Sequence, residues 1–376
     1  MEIITSGFQS DLDGRISENV RAVLVVESAD LAQKMVLGLP IFIRTLRQLR
    51  QAGFKEIWMV SRHLENLRPL LNRFGMLEYI QLSHDTPHFE SGVSIFSAQY
   101  HYESEFIRWV HVKKITNPSD YLGKINPMWW HRLEDSKASL KAIEKKIFQN
   151  IKDKTEGWVA PHLNKPVSFA MTRQLVKTDL SPNTITFVNL ALAVLTALLI
   201  MNNNYGWRVL GAILMQFSSI IDGCDGEVAR IKILSSRFGA WFDTIADDLA
   251  NNLFWLGVFV GLFRTTGNTF YFNGGWVLFG LSFLVSLFLY YQMMTRTKSA
   301  NVKDFVPAWS DKPASAKEGW FEKVRPLMKR DFFVFLMFVL LILDLRVLLF
   351  WISTVAISAT FLVHGASFVL SLVRRR

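Results

Sequence analysis

The sequence has a single cysteine, Cys224, so an internal disulfide is excluded. It shows no internal repeat and no low-complexity tract. Its start carries no apolar stretch of signal-peptide type, and the first domain is expected to stay in the cytosol. Acidic residues are the scarcer charge, 32 against 42 basic, for a net charge of +10. Such an excess can serve nucleic acid. Here the basic residues collect beside apolar runs, where anionic headgroups lie, and no nucleic-acid partner is expected. Long apolar runs are missing from residues 1–160, which read as a charged soluble domain. From about residue 185 the text turns to Leu, Phe, Val and Ile in runs that approach the ~20 residues needed to cross a bilayer.

In the first domain Arg21 to Glu27 (RAVLVVE) reads as a strand. Pro40 opens an amphipathic helix that Gly53 stops. Lys55 to Ser61 reads as a second strand, Leu64 to Phe74 as a helix, Leu77 to Leu82 as a third strand, and WVHVKK (109–114) as a later one. Strand alternating with helix predicts an α/β domain with a mainly parallel sheet over residues 1–153. Leu140 to Lys152 predicts a charged exit helix. Residues 154–183 are a linker with a basic, apolar helix at about Lys165 to Thr178, suited to lie along a membrane surface. Residues 184–376 predict an all-α membrane domain of six spans, at about 184–201, 207–225, 239–263, 275–294, 331–344 and 347–371. The fifth is short and is expected to begin near Pro326.

Basic residues orient the spans. Arg230, Lys232 and Arg237 lie between the second and third, and nine lie between the fourth and fifth. Arg374, Arg375 and Arg376 end the chain. The opposite loops hold only Arg208, Arg264 and Arg346. Both termini are therefore expected in the cytosol, in a multi-pass cell-membrane protein.

The second span ends and the third begins with IIDGCDGEVARIKILSSRFGAWFDTIADD. Asp222 and Asp225 are three apart and share a helix face; Asp243 and Asp247, four apart, share another. A tight return brings the pairs together at the cytosolic end. Four carboxylates there repel one another and are costly beside lipid. Divalent cations that prefer oxygen, Mg²⁺ or Mn²⁺, offset both costs. Two such ions would clamp a pyrophosphate. Gly226 lets a substrate approach the backbone, Ala229 keeps the same face open, and Arg230 offers planar donors to phosphate oxygens. Gly239, one turn before Asp243, lets two helices meet.

The string Asp222-x2-Asp225-Gly226-x2-Ala229-Arg230-x8-Gly239-x3-Asp243-x3-Asp247 resembles the signature of the CDP-alcohol phosphotransferases (CDP-alcohol phosphatidyltransferases) at each fixed position. The resemblance covers about residues 157–373. It implies a six-helix fold, a homodimer and a polar cavity open to the cytosol. It implies that an acceptor hydroxyl attacks the phosphorus bearing the donor's alcohol and that CMP leaves, in phospholipid or inositol-phosphate compound synthesis. By it, Asp222, Asp225 and Asp243 are metal ligands, and Asp247 is both ligand and general base. Asp222, Gly226, Ala229, Arg230 and Gly239 line the CDP site.

Residues 21–115 are similar to the sugar nucleotidyltransferases, on the stretch KMVLGLPIFIRTLRQLRQAGFKEIWMV. Active members carry a glycine-rich basic loop after the first strand, which cradles phosphates. Here that text is ESADLAQK, without glycine, and WVHVKK has Lys113 and Lys114 where a metal-binding aspartate is expected. The domain reads as degenerate, though Lys34 keeps the active reading open. Fusion of the two domains resembles the relatives of di-myo-inositol-phosphate-phosphate synthase.

Arg296, Lys298 and Arg330 flank the expected cavity mouth. They serve as membrane anchors or as a phosphate site for an acceptor such as inositol phosphate. Cys224 reads as a small neighbour, His162 and His364 as packing residues, and Asp248 offers no evident partner. Three rival functions are open. An intramembrane prenyltransferase also uses two aspartate motifs, but far apart in sequence; these four aspartates fall within 26 residues. An ion-coupled transporter needs no Gly226, Ala229 and Arg230 at fixed offsets and usually shows repeats. A scaffold would leave the work to the soluble domain, which lacks its phosphate loop.

Overall fold

A computed structural model describes residues 21–87, 93–113, 115–116, 130–132, 134, 136–151, 160–294 and 330–373. The chain divides into two units, Met1–Lys152 with Ile231–Ile233, and Asp153–Arg230 with Leu234–Arg376.

In the first unit, β1 (Arg21–Val25), β4 (Glu56–Val60), β5 (Gln81–Ser83) and β6 (Val93–Ser97) form a sheet in the order β5-β4-β1-β6, with every pairing parallel. Side chains alternate across a strand. Ala22 and Leu24 therefore enter one core with Ile57, Met59 and Phe96, while Val23 meets Val60 and Val93 on the other face. The first core is covered by α2 (Ile41–Ala52) and α3 (Leu64–Arg73) through Phe42, Ile43, Leu46, Leu49, Leu67 and Leu71. Pro40 stands at the N-cap position of α2, and Gly53 ends the helix at φ 103°, a left-handed conformation that glycine adopts without strain. After β1 the chain forms a single turn, α1 (Ala29–Ala32), capped by the Ser28 side chain. A two-residue ladder, β2 (Met35–Val36) with β3 (Leu39–Pro40), follows it.

Two expectations need correction. The strand expected from Leu77 begins only at Gln81, because Tyr79 N–H is turned back onto Met76 O at 3.1 Å. WVHVKK is not a strand: residues 109–113 end α4 (Ser104–Lys113). Phe106, Ile107, Val110 and His111 are buried at helical spacing, and this 3.6-residue periodicity overrides the β-branched local text. The inference drawn from Lys113 and Lys114 as strand positions lapses with it, and Lys114 lies outside the described residues. The antiparallel pair β7 (Tyr100–Tyr102) with β8 (Trp130–Arg132), and α5 (Lys137–Ile151), complete the unit.

The second unit is helical. A π-helical turn, Ala160–Asn164, leads into α6 (Lys165–Leu175). Then come α7 (Pro182–Ile200), α8 (Tyr205–Ile231), α9 (Arg237–Thr266), α10 (Thr269–Gln292), α11 (Arg330–Ile342) and α12 (Arg346–Val373). Local chemistry sets their starts. Ser181 accepts from Thr184 N–H ahead of Pro182, Ser236 from Gly239 N–H, and Asn268 from Phe270 N–H. Among the described residues four stretches are long and apolar enough to cross a membrane: Pro182–Ile200, Arg237–Thr266, Thr269–Tyr291 and Arg346–Ala366. The other two expected spans are helical but fall short of that measure. In α8 the text IIDGCDGEVAR dilutes the hydropathy, and the apolar part of α11 is only Phe332–Ile342.

The backbones of α7 and α9 lie almost in contact. A Cβ on Gly257 would stand 3.0 Å from Ala197 O, and one on Gly261 would stand 2.7 Å from Ile200 O. This is the small-residue spacing by which membrane helices approach closely. Away from the aspartates, Arg208 donates to both oxygens of Asp344 at 3.1 Å, and Arg346 donates to Asp344 at 2.9 Å and to Thr265 at 2.9 Å. Two of the three basic residues counted on the opposite loops are thus buried around one carboxylate.

Candidate active site

The C-terminal half of α8 carries Asp222 and Asp225, and the first turns of α9 carry Asp243 and Asp247. The Ser236 cap fixes where α9 begins, and hence which way its carboxylates face. Gly239 lies against α7: a Cβ there would stand 3.2 Å from Asn183 Oδ1 on that helix's first turn.

Three carboxylates converge. One oxygen each from Asp222, Asp243 and Asp247 lies within 4.8 Å of the others, and all three residues are half-buried. Asp225 is not in this triplet. It is 5% exposed, and its carboxylate accepts from Thr186 on α7 and from Gly226 N–H. Among the described residues the next face of α8 is open: a Cβ on Gly226 would meet only Arg230 Nη2, at 3.9 Å. Ala229 is half-buried and Arg230 exposed on that helix. Arg296 and Lys298 lie outside the described residues, and of Arg330 only the backbone, at the start of α11, is described. Cys224 is buried, with Sγ 3.6 Å from Ser168 O, as a packing neighbour would be. His162 is exposed and His364 half-buried.

Two residues near the site were not legible as such. Thr186 supports Asp225. Its signal is a polar stripe, Thr186, Asn189 and Thr196, at helical spacing on an otherwise apolar helix; Asn189 in turn accepts from Ser218 of α8 at 2.7 Å. Asp248 does have a partner, since Tyr290 of α10 donates its phenol hydrogen to it, with Trp241 edge-on to the Tyr290 ring. Tyr290 lies 42 residues further along the chain, so no local spacing signals the bond.

Helices of membrane-spanning length that bring oxygen ligands together at one end define a membrane-type domain with a candidate divalent-cation site. A sequence profile of the CDP-alcohol phosphatidyltransferase family matches residues 179–361, and this domain of the chain belongs to that family. Similar proteins include a "Bifunctional IPC transferase and DIPP synthase" of Aquifex aeolicus (strain VF5), 32% identical over 124 residues, which are 33% of this chain and 28% of that protein. A protein of the same name from Rubrobacter xylanophilus is 37% identical over 127 residues, 34% of this chain and 28% of the relative. One from Thermococcus kodakarensis is 29% identical over 130 residues, 35% and 29% respectively. The matched stretch spans less than a third of each relative's length.

Proposed function

We propose that the membrane domain moves the phosphoalcohol group of a CDP-alcohol onto an acceptor hydroxyl, releasing CMP. The observation that carries this reading is the convergence of Asp222, Asp243 and Asp247 inside a domain of this family. The donor set fits the implied metal. Three hard carboxylate oxygens from two helices are the chemistry that Mg²⁺ and Mn²⁺ select. When bound, two such ions neutralise the pyrophosphate and stabilise charge on the leaving phosphate. Asp222, Asp225, Asp243 and Asp247 would hold them.

The chain's own groups do the rest. Gly226 and Ala229 leave room beside α8 for the donor, with Gly239 in the same site, and Arg230 offers its fork to the phosphate oxygens. Asp247 takes the proton of the acceptor hydroxyl as its oxygen bonds to phosphorus. The bond from that phosphorus to the CMP oxygen breaks, and CMP carries the electron pair away. Arg296, Lys298 and Arg330 serve an acceptor phosphate, in synthesis of a phospholipid or an inositol-phosphate compound.

The same reading takes α7 to α12 as six spans, with both termini in the cytosol, in a homodimer. The burial of Arg208 and Arg346 around Asp344 supports this orientation, because it leaves Arg264 as the one unspent charge among the three residues. The soluble unit takes a nucleotidyltransferase-like fold that has lost its chemistry. Its phosphate loop is replaced by a one-turn helix capped by Ser28, with Glu27 bonded to Gln99. The relatives' names describe two activities in one protein, which supports the pairing of two enzyme-type domains.

The test is CMP release by the detergent-solubilised chain with Mg²⁺ or Mn²⁺, using CDP-diacylglycerol, CDP-inositol and CDP-glycerol against labelled acceptors. Acceptor-dependent CMP from one donor is expected. Silence from all of them, with pyrophosphate released from a prenyl diphosphate instead, would replace this reading.

A further inference from the structure

Glu227 is fully buried on α8, two residues beyond Asp225. Two residues turn a helix by about 200°. Glu227 therefore leaves α8 on the side away from Asp225, and there it meets α6. Lys165 Nζ lies 3.0 Å from its Oε1. Ser168 donates its hydroxyl hydrogen to Oε1 at 2.8 Å, and Thr172 donates to Oε2 at 2.7 Å. Residues 165, 168 and 172 are spaced three and four apart, so one face of α6 supplies all three donors. The same seam continues toward the start of the helix. Gln216 donates to Asn164 at 2.8 Å, and Asn164 donates to Ser219 at 3.4 Å. A Cβ on Gly223 would lie 3.7 Å from Ser168, so the two helices are close there.

A carboxylate buried to this degree is tolerated only with its charge and lone pairs answered. All of the answers shown come from α6, whose text of basic and apolar residues suits a membrane surface. We propose that Glu227 is a positioning residue: by clamping α6 to the back of α8 it fixes the rotation of α8, and with it the place of Asp222 in the carboxylate triplet. This rests on the reading that the triplet binds a divalent cation. The leverage is large. With side chains about 5–6 Å from the helix axis, a 10° rotation moves a carboxylate by about 1 Å. Metal–ligand distances tolerate only about 0.2 Å. A small loosening of the clamp exceeds what the site can absorb.

The test follows Mn²⁺ binding by the loss of the free-ion EPR signal in the purified full-length chain, alongside CMP release. Glu227→Gln keeps the shape and removes the charge. The Ser168→Ala, Thr172→Val pair leaves the charge and removes two donors, and it decides the matter if Glu227 variants fail to fold. Both are expected to weaken Mn²⁺ binding about 10- to 100-fold, the range for groups that orient ligands. At saturating donor kcat should fall more than KM rises, and Glu227→Asp should recover part of both. Folded variants with wild-type Mn²⁺ affinity and kcat would overturn the clamp alone. A wild-type protein that binds Mn²⁺ but releases no CMP from any donor would overturn the proposed reaction instead, and the clamp would then be judged on Mn²⁺ affinity.

Discussion

Thr186 on α7 donates its hydroxyl hydrogen to the buried carboxylate of Asp225 on α8. The bond ties the aspartate to a helix that carries none of the eight fixed residues of the signature. Thr186→Val removes the donor and keeps the shape, leaving a buried carboxylate short of a partner. Such a bond to a charged group contributes about 1.5–3 kcal/mol. The half-saturating Mn²⁺ concentration for CMP release should rise at least about tenfold, while Thr186→Ser should stay close to wild type. Equal metal titrations for Val and wild type would make the contact incidental.

Asp222→Asn, Asp225→Asn and Asp243→Asn should each abolish transfer without loss of expression, since each removes a charged ligand. Asp247→Asn should differ. It should leave CDP-alcohol binding largely in place and slow turnover by about 10²–10⁴-fold, the usual contribution of a positioned base. Loss of donor binding and turnover in equal measure would make Asp247 mainly a ligand. Chelation should silence the wild type, and Mn²⁺ should restore it.

Orientation is open to chemical labelling. In a background without Cys224, cysteines placed at 202–206 or 265–274 should react with an impermeant thiol reagent added outside intact cells. Those placed at 297–325 should not. The reverse pattern would put the carboxylate triplet on the outer face.

The first unit should not make CDP-alcohols. Nucleotidyl transfer needs N–H groups and cations around a triphosphate, and a metal held by acidic side chains. The turn after β1 instead presents Glu27 and a Ser28-capped helical turn. The full-length chain with CTP, Mg²⁺ and inositol 1-phosphate should release no pyrophosphate above background. Clear release would make the protein bifunctional, with the membrane domain using a donor made on the same chain.

The parallel sheet was legible because RAVLVVE and KEIWMVS are β-branched runs bounded by helix signals, and four membrane-length helices because their apolar runs are long. The meeting of the two aspartate helices was legible because three- and four-residue spacings place each pair on one face, but the spacings pointed to four carboxylates together, and Asp225 turns instead to Thr186. What escaped were features set by a distant partner. Residues 109–113 look like a strand until Phe106 and Val110 are seen to share a buried helix face. Asp248 looks orphaned until Tyr290, 42 residues on, is brought beside it. Glu227 sits at a variable position of the signature, and only the fold of α6 gives it a role.

The knot of Arg208, Asp344 and Arg346 bears on how the domain moves. It joins the start of α8 to the start of α12 through charged, buried hydrogen bonds, and Tyr205 adds a further bond to Ile342 O at 2.6 Å. Some fourteen residues of α8, about 21 Å at 1.5 Å per residue, separate Arg208 from Asp222. Charged bonds thus staple the end of the bundle away from the carboxylates, while Thr186 on Asp225 and α6 on Glu227 hold α8 at the other. Backbone amide exchange should therefore run slow around both Arg208 and Glu227, with the exposed turn at residues 202–204 faster than either, so that α8 is pinned twice along its length.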